Sequence, residues 1–218
     1  MPSSGRIPRP SVKRLSLYLR ELESRAAAEP QTVSSRELGD ALGITDAQVR
    51  KDLACFGQFG QPGVGYAYAE LTAALRRILG TDRVWNSIVV GAGNIGRAVI
   101  KYPRLRTKGF EIIAAFDSDP AIIGTEIGGV RVQPLTELDS TVRTQAVAIA
   151  LLAVPAPVAQ ATTDQLVAAG VRGILNFAPV RLAVPAHVSI VSADLTIELE
   201  QLAFRLSFSG PEGNGALA

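Results

Sequence analysis

The spacing of apolar residues changes character near residue 83. Before that point apolar side chains recur at intervals of three and four, and after it short continuous apolar runs alternate with helical spacings. Val12, Leu15, Leu19 and Leu22 predict one helix that opens at Ser11 and ends before Pro30. Ser34 and Glu37 carry the capping-box spacing for a second helix. Leu38, Ala41 and Leu42 are its expected core face, and Gly43 terminates it. Thr45 and Gln48 repeat the box at the start of a third helix, with Val49, Leu53 and Phe56 as its apolar stripe. Two short helices around a glycine turn predict a helix-turn-helix. The uncharged run from Phe56 to Tyr66, rich in glycine and aromatics, predicts a β-hairpin turning at Pro62-Gly63, a wing beside the helices. Leu71, Leu75, Ile78 and Leu79 mark a fourth helix closed by Gly80.

Beyond residue 83 the apolar strand Ile88-Val89-Val90 runs into Gly91-Ala92-Gly93-Asn94-Ile95-Gly96 and then into residues able to continue as helix. Strand, G-x-G-x-x-G turn and helix in that order are the dinucleotide-binding fingerprint. The first glycine permits the turn, the second lets backbone approach a pyrophosphate, and the third lets helix and strand pack closely. A second strand, Gly109 to Phe116, ends at Asp117, where a carboxylate can accept ribose hydroxyls and repel the extra phosphate of an NADP-type cofactor. Asp119 is the rival, and both acids also suit a turn through Ser118 to Pro120. The apolar run from Ala146 to Leu152 predicts a buried parallel strand ending at Val154-Pro155. A helix over 158–169 leads to a strand from Val171 to Leu175, which ends at Asn176, a candidate ligand contact or a turn former. Asp194 caps a last amphipathic helix with Leu195, Leu199, Leu202 and Leu206 on one face and Phe204 adding breadth.

The organisation expected is α/β: a winged helix-turn-helix DNA-binding domain over 11–80, a Rossmann-type NAD(H)-binding domain over 84–194, and a C-terminal helix over 195–208. Residues 1–10 and 209–218 show no pattern and are expected to be flexible tails. Composition supports a well-buried chain, with 47% hydrophobic and 19% charged residues. The charge is unevenly placed: residues 1–83 carry 12 Lys and Arg against 9 Asp and Glu, whereas the remainder carries 10 against 11. The basic surplus thus lies with the helix-turn-helix. Gln48, Arg50 and Lys51 stand near the start of its second helix, where base edges and phosphates are reached. Asp52 is expected to hold Arg50 or Lys51 in place.

Cys55 is the single cysteine, which excludes an internal disulfide and suggests a reducing compartment. No apolar run is long enough to span a bilayer, no secretory h-region follows the N-terminus, and no metal site is expected; a cytoplasmic location follows. Catalysis finds little support. The single histidine, His187, falls in a predicted loop, and no lysine follows Lys108. Only Tyr102 could serve a hydride transfer as proton donor.

The runs Gln48-Val49-Arg50-Lys51-Asp52-Leu53, Phe56-Gly57-Gln58-Phe59-Gly60 and Gly63-Val64-Gly65-Tyr66 resemble the winged-helix half of the Rex redox-sensing repressors. The resemblance continues through the glycine fingerprint, Asn176-Phe177-Ala178-Pro179, Asp194-Leu195 and Glu198-Leu199, and covers nearly the whole chain after residue 10. It implies a homodimer on palindromic operator DNA, released when NADH rather than NAD⁺ is bound, with the last helix exchanged between protomers. On that resemblance Thr45, Gln48, Arg50, Lys51, Phe59, Gly63 and Tyr66 would face DNA. The fingerprint residues Gly91 to Gly96, with Tyr102, Asp117, Ser118, Val154, Pro155 and Asn176, would face the cofactor. Tyr102 would sense the nicotinamide ring, and Asp194 would pair alternately with Tyr102 and with Arg20. Leu105 departs from the aromatic residue often expected after the Tyr102-Pro103 turn. Two alternatives stay open: a small NAD-dependent oxidoreductase, and a winged-helix regulator of another nucleotide such as coenzyme A.

Overall fold

The computed structural model describes residues 9–26, 31–61 and 63–208. Cα packing divides the chain after Arg83 into two units.

The first unit holds helices α1 (Arg9–Arg25), α2 (Ser35–Leu42), α3 (Asp46–Ala54) and α4 (Tyr68–Ile78), with short strands β1 (Thr32–Val33) and β2 (Tyr66–Ala67). Its core is Leu15, Tyr18, Leu22, Leu38, Val49, Leu53, Leu71 and Leu75, all essentially inaccessible to solvent. Each such side chain contributes about 1.5–3 kcal/mol by leaving water. Helix α1 starts at Arg9, two residues before the expected position; Pro10 lies in its first turn, where its missing N–H costs nothing. Tyr18, not Val12, completes its buried stripe, and Val12 is exposed. The Ser34 capping box is formed in both directions, and those bonds hold the Glu37 carboxyl below its ordinary value. Gly43 ends α2 in the left-handed conformation (φ 65°). Ala41 points to solvent rather than to the core.

Two local expectations are corrected. Thr45 caps α3 by accepting the Gln48 N–H at 3.2 Å, but the Gln48 side chain turns to Asp52, so the second box is only half made. The run from Phe56 to Tyr66 is not a regular hairpin. It holds one antiparallel bridge, Gln61 to Gly65, around a turn whose Pro62 lies outside the described residues. Its last residue, Tyr66, pairs instead with Val33 in β1. The strand partner thus comes from far upstream, which local pattern does not reveal.

The second unit is built on a seven-stranded sheet in the order β5-β6-β4-β3-β7-β8-β9. The strands are β3 (Trp85–Val90), β4 (Phe110–Asp117), β5 (Glu126–Ile127), β6 (Val130–Pro134), β7 (Ile149–Leu152), β8 (Gly173–Asn176) and β9 (Ser189–Ser192). All neighbours run parallel except β5 and β6. Helices α5 (Asn94–Ile100), α6 (Pro103–Thr107), α7 (Leu138–Thr144) and α8 (Ala156–Ala169) make the crossovers. Strand order reverses at β3, which has β4 on one side and β7 on the other. Ligands of such sheets bind at that switch, beyond the strand C-termini. The apolar run from Ala146 forms strand only from Ile149; Ala146, with a positive φ of 49°, belongs to the preceding turn.

Helix α9 (Leu195–Phe208) closes the described chain, and no residue on it is buried. Leu195, Leu199, Leu202 and Leu206 lie on one side, while Ile197, Phe204 and Phe208 lie opposite, and all seven are exposed. The single apolar face expected is therefore two faces.

Candidate functional site

The C-terminal ends of β3, β4, β7 and β8 are in register, with Val90 beside Phe116 and Leu152, and Leu152 beside Asn176. The residue after each strand therefore arrives at one edge. Gly91 follows β3 with φ 93°, and an added Cβ would strike the carbonyl of Ala153 after β7. At Gly96 an added Cβ would run into the Gly91 carbonyl, so α5 can lie against its own turn only with glycine there. Gly93 is the N-cap of α5, faces open space, and no side chain caps that helix. The turn, the uncapped helix start and the open Gly93 together fit a bound phosphate.

Asp117 ends β4 next to this turn. Its Oδ2 accepts the Ala92 N–H at 2.7 Å and its Oδ1 accepts the Asp119 N–H at 2.9 Å. Asp119 in turn accepts the Ala121 N–H at 2.9 Å, so it only braces its own turn. A carboxylate has about four acceptor positions. Asp117 can therefore hold the loop and still receive ribose hydroxyls. Arg97 holds the next peptide of the turn, donating from Nε to the Ala92 carbonyl at 3.0 Å; the sequence pattern does not single it out. Asn94, Ile95 and Ser118 are exposed around the turn, and Val154 and Pro155 follow β7 into α8.

Asn176 makes the turn-forming contacts. It is buried, its Nδ2 donates to the Ala178 and Val180 carbonyls, and its Oδ1 accepts the Ala178 N–H. Its amide shapes the loop after β8, as in the turn-forming alternative.

In the first unit α3 presents a different surface. Thr45, Arg50 and Lys51 are exposed along it. Arg50 is paired with Asp46 at 2.6 Å and also reaches Ser35, which leaves it tied to α2 and the start of α3. Asp52 does not hold Arg50 or Lys51. It is buried at 1% exposure and takes Arg14 Nε at 2.5 Å, Arg14 Nη2 at 2.7 Å, Tyr18 Oη at 2.9 Å and Gln48 Nε2 at 3.1 Å. Burial alone would raise its pKa, but the hydrogen bonds from Arg14 and Tyr18 outweigh that and lower it. The same burial and the bond to Asp52 push the Tyr18 phenol well up. The sequence held one signal for this knot: position 52 falls between Val49 and Leu53 on the inward side of the helix.

Of the residues expected on the wing, Gly63 is exposed with φ 80°, and Phe59 is partly buried against the core. Tyr66 is a correction. It is buried and belongs to that core, so its ring does not face outward. Val64, at the loop tip, is the exposed apolar side chain instead.

Residues 82–180 match the family model described as CoA binding domain, and residues 6–54 match the one described as "Putative DNA-binding protein N-terminus". The redox-sensing transcriptional repressor Rex of Carboxydothermus hydrogenoformans is 47% identical over 92% of this chain and 97% of its own length. The chain belongs to the Rex family. The Rex protein of Syntrophomonas wolfei is 45% identical over 94% of this chain and 97% of its own length. Among solved structures, RSP in complex with β-NAD⁺ and operator DNA matches at TM-score 0.89 and 35% identity, over 98% of this chain and all of that one. RSP in complex with β-NADH matches at TM-score 0.85 and 34% identity, over 94% and 96%. The relatives are named as transcriptional repressors, not as enzymes.

The three residues expected to switch a Rex protein occupy separate elements. Arg20 is exposed on α1. Tyr102 is about half exposed at the N-cap of α6, before Pro103. Asp194 accepts the Thr196 N–H at 2.9 Å and so caps the start of α9. Leu105 packs partly against the cluster of Val89, Ala115 and Val132, so the departure at that position is accommodated as aliphatic core. Among the described residues no group of acidic, histidine or cysteine side chains could hold a metal, and no helix is long and apolar enough to cross a membrane.

Proposed function

We propose that this Rex-family chain is a transcriptional repressor that reads the balance of NADH and NAD⁺ and binds operator DNA as a homodimer. The observation that carries the reading is the glycine turn braced by Asp117 at the sheet's switch point, in the same chain as a helix-turn-helix with exposed Thr45, Arg50 and Lys51. Gly91 to Gly96 would hold the pyrophosphate, and Asp117 a ribose. Ser118, Val154 and Pro155 would line the approach. The nicotinamide ring is uncharged when reduced and positively charged when oxidised. Settling the charged form unpaired in an apolar place is costly, which gives the two forms different preferences for a closed dimer. Tyr102, Arg20 and Asp194 are the proposed switch residues, with Asp194 released from capping α9 when it pairs elsewhere. The exposed apolar sides of α9 support its exchange across the homodimer.

Two α3 helices in such a dimer would enter successive major grooves about 34–36 Å apart. No turnover is part of the proposal, because His187 lies in an exposed turn at the N-terminal end of β9, the edge opposite the glycine turn, and no lysine follows Lys108. A regulator of this kind works in the cytoplasm. The match of residues 82–180 to the CoA binding domain model favours coenzyme A as the second reading.

The test is binding of the purified protein to a duplex pool at fixed salt, with NADH, NAD⁺ or coenzyme A titrated in. Release by NADH and retention with NAD⁺ is expected. Release by coenzyme A alone would move the site to the second reading, and binding indifferent to all three would remove the sensing role.

A further inference from the structure

Asp52 has the capacity of a carboxylate filled by four donors: two from Arg14, one from Tyr18 and one from Gln48. The first three come from α1 or from its buried face. The fourth comes from the same helix, one turn ahead, on a side chain that is only partly buried. Gln48 is therefore unlike Arg50 and Lys51. Its amide is tethered from behind to a buried anion, while its far edge stands at the exposed start of α3.

From this geometry we infer that Asp52 is a positioning residue for base recognition, fixing the Gln48 amide so that it presents one set face to DNA. The inference rests on the operator-binding reading of α3. An amide can normally flip, exchanging its oxygen and nitrogen at little cost. Here it cannot, because the ionised Asp52 only accepts, so Nε2 must be the atom turned toward it. When Nε2 gives Asp52 its proton trans to Oε1, Oε1 and the second Nε2 proton are left side by side, facing away from Asp52. One acceptor and one donor in that order complement the N6 amine and N7 of adenine in the major groove. A free glutamine would lose rotamer freedom on binding and could also offer its other edge. A tethered one has lost that freedom on folding, and adenine is selected over bases whose edges do not complement it.

The chain of support reaches further back. Arg14 and Tyr18 keep Asp52 charged and oriented, and Arg14 Nη2 also contacts Ser11 Oγ at 3.3 Å. Helix α1 thus sets, through three side chains, how one residue of α3 meets a base. A merely structural knot would affect all DNA sequences alike. A positioning knot affects one base pair in each half-site.

The experiment is a competition panel of operator duplexes, each half-site position varied in turn at fixed salt, read for the wild type, Gln48→Ala, Asp52→Asn and the double variant, all as full-length protein. Gln48→Ala should lose about tenfold to hundredfold discrimination at one position. Asp52→Asn should lose discrimination at that same position and add nothing further once Gln48 is Ala. A loss spread evenly over all positions, or one that persists unchanged in the Gln48→Ala background, overturns the positioning role while leaving operator binding in place. Failure of the wild type to bind any duplex overturns the operator reading and this inference together.

If Asp52→Asn does not fold, the wild type alone decides the matter through its Gln48 side-chain amide protons in NMR. Slow exchange of one proton, with restricted rotation of the amide, supports the tether. Exchange and averaging at the rate of a free glutamine overturn it.

Discussion

The two candidate sites are made of opposite materials. At the glycine turn the working groups would be backbone N–H donors, and the sequence contributes mainly by leaving side chains out at Gly91, Gly93 and Gly96. On α3 the working groups are long side chains, and the sequence contributes a buried ionic knot that restricts what they can do. One site is accurate because little can move there. The other must remain extended toward solvent, so its accuracy is imposed from beneath. The contrast teaches that a backbone site fails by addition of atoms and a side-chain site by loss of a partner.

The largest expected effect breaks the second kind. Asp52→Ala leaves Arg14 and the Tyr18 phenol without their acceptor and should cost about 4 kcal/mol in denaturant unfolding of the full chain. The same carboxylate sets an acid limit. Its folded pKa lies below its unfolded one, so its stabilisation is fully present above the ordinary carboxylate value of about 3.9 and is lost as pH falls through the lower folded value. In Asp52→Asn that part of the acid transition should vanish, as followed by helical circular dichroism.

Gly96→Ala breaks the first kind by addition. Its Cβ meets the Gly91 carbonyl and Val89, and a loss of about 3 kcal/mol is expected in the same unfolding measurement. Asp117→Ala tests the carboxylate that joins turn and ligand. NADH affinity should fall by about tenfold to hundredfold in a fluorescence titration, as for a lost hydrogen bond to a charged group. An unchanged affinity would exclude the ribose contact. Lys51→Ala should weaken binding to all duplexes and flatten the dependence of log K on log salt by about one unit, as for one lost phosphate contact. Loss at a single base position would make Lys51 a base reader.

The smallest effect sharpens the comparison most. Gly93→Ala meets open space and has no positive φ, so stability should change by less than about 0.5 kcal/mol. Nucleotide binding should nevertheless weaken, because the added methyl stands where the phosphate approaches. A Gly93→Ala protein that binds NADH normally would show that the ligand passes elsewhere.

The same contrast explains what could be read from sequence. Gly91 and Gly96 are legible because a backbone constraint leaves one residue type possible, and Ser34 with Glu37 is legible because both partners sit within one turn. Asp117 is legible because it ends the apolar strand that follows the glycine turn. Arg14 and Asp52 were not found as a pair, since they lie 38 residues apart and charge alone pointed Asp52 at its neighbours Arg50 and Lys51. Tyr66 was misplaced for a related reason: its strand partner Val33 lies far upstream, so local composition suggested a freestanding hairpin. Asn176 looked equally suited to ligand and turn, and only the three bonds to Ala178 and Val180 separate the two. In α9 the leucine face is legible from its spacing, whereas Ile197, Phe204 and Phe208 form a second face only once the helix is laid out.

The brace from Asp117 to Ala92 has a consequence for what such a sensor can report. The oxidised and reduced dinucleotides share everything this part of the site would touch, so a turn already rigid before either arrives treats them as equals. Their common half then cancels in the competition between them, much as a balance ignores weight placed on both pans. Once the site is filled, the output follows the proportion of the two forms and is indifferent to their total amount.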